Sequence, residues 1–336
     1  MNKILKIGSR GSPLALTQVE MVKAALAEKF PALQTETVII KTSGDWNPAD
    51  GETRLSTIDG GKGLFAKEIE KALLAGAIDC AVHSTKDMDS KTPDGLVLEH
   101  YLPRADARDV LLVSNAVKSG HDALPDDPFD ALPQGAIVGT ASVRRQAFLL
   151  ARRPDLKIVP MRGNVHTRLE KLEAGRVDAT MLAMAGLVRL GLEAHADYVL
   201  DEGDMLPAAG QGAVCIELRE CDDDIIAIFN QINHGETQAR VTAERGALKK
   251  LDGSCHTPIG AHATIAGDDL LLRLQVSSLG GATTILQQGV LSDWSSNDCA
   301  AFGTEVAAEL KSKIPASMLD QSAEDSVVDP TLKSAP

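Results

Sequence analysis

Aromatic side chains are scarce: two Trp, two Tyr and six Phe make up 3% of 336 residues. Bases are outnumbered too, 34 Lys and Arg against 47 Asp and Glu, for a net charge of −13. A nucleic-acid-binding protein needs a broad basic surface and stacking rings, so these two shortages exclude that class. Taken alone, the charge also argues against a polyanionic small ligand, although net charge does not say where the arginines lie. No apolar run approaches the ~18 residues of a membrane span, so no membrane partner is expected. The start, MNKILKIGSR, lacks an apolar stretch of signal-peptide length. The five cysteines (Cys80, Cys215, Cys221, Cys255, Cys299) are widely spaced, with no C-x-x-C. That pattern argues against a disulfide framework or a zinc site; no metal is implied, and a reducing, cytoplasmic location is expected. GGKG at 60–63 is not a Walker sequence, and GQGAV at 210–214 lacks the dinucleotide pattern. No repeat occurs at solenoid periods.

What is present reads as a folded chain: 44% apolar and 24% charged residues, with length for two or three domains. Ile4–Ile7 reads as a strand. Ser12 and Pro13 supply an N-cap and first helical residue for a helix reaching about Lys29. A strand over Val38–Lys41 precedes TSGDWNPADGETRLSTIDGGKG, a connection long enough to be functional. A helix over Phe65–Ala75 leads to the strand IDCAV, which ends in HSTKD. From about residue 104, DVLLVS, AIVG, LKIVPM and DATMLA read as strands alternating with helices at SVRRQAFLLARR, NVHTRLEKLEAG and AGLVRLG. Such alternation predicts an α/β fold with parallel sheets and crossovers. The last third changes: a helix TQARVTAERGALKKL, strands LLLRLQVS and TTILQQGVLS and a closing helix predict a small α+β domain. Ligands of such sheets sit beyond the strands' carboxyl ends, so HSTKD, GTASVRR, MRGN and AMAGLVR are expected to face one crevice.

Six arginines gather at these turns: Arg10, Arg144, Arg145, Arg162, Arg168 and Arg189. Each could be a solvated surface charge. Arg144 and Arg145, however, open a helix, where the dipole disfavours cations and bound anions would offset the cost. Arginine forks grip carboxylates, so several on different loops imply a ligand with several negative groups. Asp87 is either a loop acid capping local backbone or a carboxylate facing the crevice. Cys255, on the Gly- and Pro-flanked loop LDGSCHTPIG, is better placed for reaction than Cys80 or Cys215 inside strands.

Eight segments occur in an order that resembles the porphobilinogen deaminase (hydroxymethylbilane synthase) family. They are SRGSPLALTQ (9–18), GGKGLFAKEIE (60–70), AVHSTKD (81–87), GTASVRRQ (139–146), MRGNVHTRL (161–169), LAMAGLVRLG (182–191), PAAGQGAV (207–214) and ERGALKKLDGSCHTPIG (244–260). The resemblance implies a transferase that joins four porphobilinogen molecules, releasing ammonia at each step and finally the linear tetrapyrrole. It also implies a dipyrromethane cofactor, two pyrroles held by a thioether to Cys255, and Asp87 as the catalytic carboxylate. By the same resemblance the six arginines bind acetate and propionate groups, assisted by Ser12, Lys86, Thr140 and Ser142. Gln18 and Lys62 line the cleft, Phe65 stacks on a pyrrole or sits in the core, and Ser84, Gly163, Gln211 and Ser254 belong to the binding motifs. The family fold implies three α/β domains, two resembling periplasmic-binding-protein lobes with a crossing chain. Here these map to 1–103 with 210–230, 104–209, and 231–314 for the cysteine domain, leaving 315–336 as a flexible tail. A monomer is the family expectation.

The chain departs from the family at Ser43 in TSGD, at HSTKDMDS, at Ala141 in GTAS and in an apparent insertion near 118–135. Two other classes stay open at this point. One is a two-lobed solute-binding protein without catalysis, and the other is an acyl transferase using the Cys255 thiol.

Overall fold

The computed structural model describes residues 4–45, 64–251, 258–315 and 318. The first sheet gathers β1 (Leu5–Ser9), β2 (Thr35–Ile39), β3 (Cys80–Ser84), β4 (Leu96–Tyr101) and β10 (Val214–Arg219) in the order β2-β1-β3-β10-β4. Helix α1 (Pro13–Lys29) starts where Ser12 Oγ accepts the Ala15 N–H at 3.3 Å and Pro13 supplies a helical φ. It buries Val19, Val22 and Leu26 against Ile7, Val82 and Ile216 of the sheet. Helix α2 (Lys67–Leu74) buries Ile69 and Leu73 against Ile78 and Ala81. Each fully buried aliphatic side chain contributes about 1.5–3 kcal/mol, so these contacts fix both helices to the sheet.

The second sheet repeats the plan. It holds β5 (Asp109–Val113), β6 (Ile137–Gly139), β7 (Lys157–Val159), β8 (Ala179–Ala183) and β9 (Tyr198–Val199) in the order β7-β6-β8-β5-β9. Helices α4 (Val143–Arg152), α5 (Val165–Glu173) and α6 (Met184–Arg189) follow β6, β7 and β8. The sheets are mixed rather than parallel as expected. In each, the antiparallel member is the strand that has just arrived from the other lobe: β5 pairs antiparallel with β8, and β10 with β3. A strand entering from the connection runs against strands that end there.

The two connections, 102–108 and 200–213, lie side by side. Leu102 N–H donates to Val214 O and Ala105 N–H to Gly212 O, both at 3.1 Å. Gly212 sits at φ +85°, and a Cβ there would come within 2.5 Å of the Ala105 carbonyl oxygen, so only glycine fits. Beyond β10, α7 (Asp223–Asn230) leads to the third unit. That unit packs α8 (Gly235–Lys250) and α9 (Cys299–Lys313) on an antiparallel sheet of β11 (Ile259–Ala266), β12 (Asp269–Ser277) and β13 (Thr284–Ser292). Leu270, Leu272, Leu274, Ala243 and Ala307 are fully buried in its core. Glu244 on α8 ties this unit to both connections. Its carboxylate accepts from Arg104 at 2.6 and 3.2 Å, from Gly210 N–H at 2.6 Å and from Ala263 N–H at 2.7 Å.

Several elements lie outside the expected pattern. Strand β2 ends at Ile39, two residues short of the expected Lys41; β4, β9, β11 and the short helix α3 (Asn115–Ser119) also form. The stretch near 118–135 buries Phe129, Ala131 and Leu132, with Arg153 donating to the carbonyls of Phe129 at 2.6 Å and Leu132 at 3.2 Å.

Candidate active site

The site grows from the strand ends that meet the two connections. After β3 the chain turns through a single 3-10 turn, Thr85–Asp87, pinned by the Thr85 hydroxyl donating to Ala213 O at 3.1 Å. This sets Asp87 in a pocket with Arg10, Ser12, Gln18, Phe65, His83 and Ser84. Gln18 is buried and exchanges hydrogen bonds with Ser84, Nε2 to Oγ at 2.7 Å and Oγ to Oε1 at 3.2 Å. Arg10 holds Asp45 through Nε at 2.9 Å and Nη2 at 2.6 Å, with its guanidinium 4.3 Å from the Phe65 ring centroid. Phe65 therefore borders the pocket and carries a cation–π contact. Burial raises the Asp45 carboxyl, but the Thr42 N–H and Arg10 outweigh it and hold the group below its ordinary range.

On the other lobe, Ser142 caps α4, its Oγ accepting the Arg145 N–H at 3.4 Å while its own N–H reaches Thr140 Oγ1 at 3.1 Å. Arg144 and Arg145 are each about 5% exposed. The anion that offsets their position at a helix start is Asp109, the first residue of β5. Asp109 is fully buried and meets Arg144 Nη2 and Arg145 Nη2 at 2.7 Å each. The remaining Nη1 groups donate to Leu206 O at 2.7 Å and Met181 O at 2.8 Å. Burial pushes the Asp109 carboxyl up, yet the charges of Arg144, Arg145 and Lys86 prevail and bring it down to about 2.

Gln211 joins the two halves. Its Nε2 donates to Ala107 O at 2.6 Å and Asp109 Oδ1 at 3.0 Å, and its Oε1 accepts from Lys86 Nζ at 3.2 Å. Lys86, next to Asp87, is lowered to about 8 by burial and then by the Arg145 charge, against the pull of Asp87 and Asp109. Arg189, at the end of α6, donates to Gly212 O at 2.7 Å. Burial lowers it to about 10, and among the described residues it has no carboxylate partner. Arg162 is buried and reaches across from the second lobe to Gly44 O at 3.3 Å, beside the Asp45 that holds Arg10. Gly163 follows at φ +111°, where a Cβ would come within 2.8 Å of Thr167, and Arg168 turns back to donate to Gly163 O at 3.0 Å.

The structure thus brings Arg10, Ser12, Gln18, Phe65, Ser84 and Asp87 into one pocket, and Lys86, Arg144, Arg145 and Gln211 into one hydrogen-bonded cluster. Arg189 joins that cluster through Gly212; Thr140 and Ser142 shape the start of α4. Lys62, Ser254 and Cys255 lie outside the described residues. Sequence reasoning passed over Asp45, Asp109 and Glu244. An acid opening the otherwise apolar strand DVLLV was the available signal for Asp109, because such a carboxylate must be paired.

A family model described as "Porphobilinogen deaminase, dipyromethane cofactor binding domain" matches residues 5–227, and "Porphobilinogen deaminase, C-terminal domain" matches residues 238–312. The chain belongs to the porphobilinogen deaminase family. A porphobilinogen deaminase of Nitrobacter hamburgensis is 46% identical over 311 residues, 91% of this chain and 92% of the relative. One from Paracoccus denitrificans is 45% identical over 320 residues, 95% and 97% of the two chains. Among solved structures, the Bordetella pertussis BvgS VFT2 domain aligns at a TM-score of 0.42 and 16% identity, covering 68% of this chain and 86% of that one. The two-lobed architecture rests on the paired strand orders above, not on that likeness.

The cleft chemistry fits the family's dipyrromethane, whose two rings each carry an acetate and a propionate. The Nε groups of Arg144 and Arg189 are buried donors without a protein acceptor. Buried donors demand partners, and a ligand carboxylate is a charge-matched one. Among the described residues, no cluster of His, Cys, Asp and Glu could hold a metal, and no helix is long and apolar enough to cross a membrane.

Proposed function

We propose that the chain polymerises four porphobilinogen molecules head to tail into hydroxymethylbilane, with release of ammonia, in the cytoplasm and as a monomer. The observation that carries this is the cationic cluster beside the Asp87 pocket: Lys86, Arg144 and Arg189, with two buried donor groups lacking a protein acceptor. Dipyrromethane, bound through Cys255, supplies the first acceptor pyrrole.

The chain's own residues do the rest. Arg144, Arg189 and Lys86 take substrate carboxylates, and Asp109 and Gln211 hold the neighbouring guanidiniums in place. Arg10, braced by Asp45 and Phe65, and Arg162, reaching from the opposite lobe, close the cleft on further carboxylates. Loss of ammonia from porphobilinogen leaves an electron-poor azafulvene whose charge spreads over the ring and its N–H. Asp87, fixed by the short turn after β3, accepts that N–H and stabilises the cation where water is scarce. The solute-binding reading lacks any use for the third unit and its Cys255 loop.

Intact-mass measurement of the purified protein tests the proposal. The expected result is an added mass equal to two linked porphobilinogen units, lost in Cys255→Ser. An unmodified, fully active protein would overturn it.

A further inference from the structure

His83 lines the Asp87 pocket, yet the roles above leave it unused. It lies on β3 opposite Cys215 of β10, and two residues along, Glu217 stands opposite Ala81. Both side chains therefore project from the same sheet face, the one α2 covers. His83 Nε2 lies 3.2 Å from Glu217 Oε2. Their side chains are 5% and 0% exposed, and Glu217 Oε1 is buried without a partner. A fully buried carboxylate with one oxygen unpaired is stabilised by positive charge beside it, and His83 is the group in reach. The surrounding titratable groups are Glu68 and Glu70 on α2, Asp87 and Asp89 after β3, and the Cys215 thiol. They supply no competing cation. The crowding of acids is real: Glu70 is pushed up to about 7, by burial first and then by Glu217, Asp89 and Glu68.

We propose that His83, backed by Glu217, is the base that removes the proton displaced at each coupling; this rests on the function proposed above. Each coupling breaks the C–N bond of porphobilinogen, and ammonia leaves with the electron pair. The free α-carbon of the acceptor pyrrole then bonds to the methylene carbon. That α-carbon still carries its hydrogen, and aromaticity returns only when the C–H bond breaks and its pair re-enters the ring. Asp87 is occupied with the ring N–H and the cation. The Nδ1 of His83 takes the proton while its Nε2–H stays on Glu217, which stabilises the imidazolium, as a carboxylate does behind a catalytic histidine. Proton and ammonia depart together as ammonium, so the step balances without a further reactant.

The test combines kinetics with a spectroscopic reading. In His83→Gln, the attached cofactor mass should persist and KM should change little. Its kcat should fall by about 10²–10⁴-fold, and the acid-side limb of the kcat–pH profile should vanish. Glu217→Gln should keep that limb but displace it. In wild-type protein labelled with ¹⁵N-histidine, the His83 ring should titrate, and its midpoint should move in Glu217→Gln while the other histidines stay put. If His83→Gln retains kcat and the acid limb, or if the His83 ring holds one protonation state from pH 5 to 9, the proposal is overturned. The ring titration stands even where His83→Gln fails to fold. Wild-type ammonia release serves as the control: if it is absent, the functional reading fails, and if it is present beside an unaffected His83→Gln, only this inference fails.

Discussion

Asp109→Asn keeps the shape of the side chain and removes its charge from between two buried guanidiniums. Asp109 is the carboxylate shared by Arg144 and Arg145, at 2.7 Å from each, with Gln211 linking it to Lys86. Holding its carboxyl at about 2 rather than 3.8 corresponds to on the order of 2 kcal/mol favouring the ionised, folded form. Neutralising it also strands two desolvated cations. Removing one partner of a buried pair generally costs about 3–5 kcal/mol, so that range is the expected loss. Urea denaturation of the cofactor-loaded protein at pH 7 measures it. The sign with pH follows from a lowered carboxyl: the stabilisation is complete above about 4 and is lost as pH falls toward 2. The gap between variant and wild type should therefore narrow below pH 4. Replacing Asp109, Arg144 and Arg145 together with Leu, Met and Met should recover part of the loss, since no charge is then left unpaired. A stability change for Asp109→Asn below about 1 kcal/mol at pH 7 would refute the reasoning.

Three other outcomes are expected. Asp87→Ala should fold and carry the cofactor mass, while kcat drops by about 10²–10⁴-fold, because a positioned carboxylate is lost from the cation; near-normal turnover contradicts the assignment. Lys86 loses its charge above about 8, so KM for porphobilinogen should rise through that pH, and Lys86→Arg should flatten the rise because guanidinium stays charged. Gly303→Ala would drive a Cβ into the Ala243 carbonyl where α8 and α9 touch, costing about 1–3 kcal/mol by denaturation, whereas Gly203→Ala, with open space around it, should cost under about 1 kcal/mol.

Much of this arrangement was legible in the sequence because its signals are local. Ser12-Pro13, Ser142 and Asn164 each mark a helix start, and each accepts the N–H three residues on. The glycines of MRGN and GQG mark turns that only glycine completes. What could not be read is long-range. Strand β10 runs antiparallel because the chain re-enters its first lobe from the second, and nothing within VCIELR records that direction. The partners of the arginines were equally hidden, since Asp109 lies 35 and 36 positions before Arg144 and Arg145. The net charge of −13 misled in the same way, because an acidic total coexists with a buried cluster of Lys86, Arg144, Arg145 and Arg189. His83 shows the opposite lesson: the motif AVHSTKD drew attention to its lysine and aspartate, while the histidine's partner, Glu217, sits 134 residues away.

The central claim is that this cleft joins porphobilinogen units rather than merely holding them. Ammonia and linear tetrapyrrole, measured together after incubating the purified chain with porphobilinogen, test it most directly. The account predicts four ammonia molecules for each tetrapyrrole released, whereas binding of porphobilinogen without ammonia would contradict it.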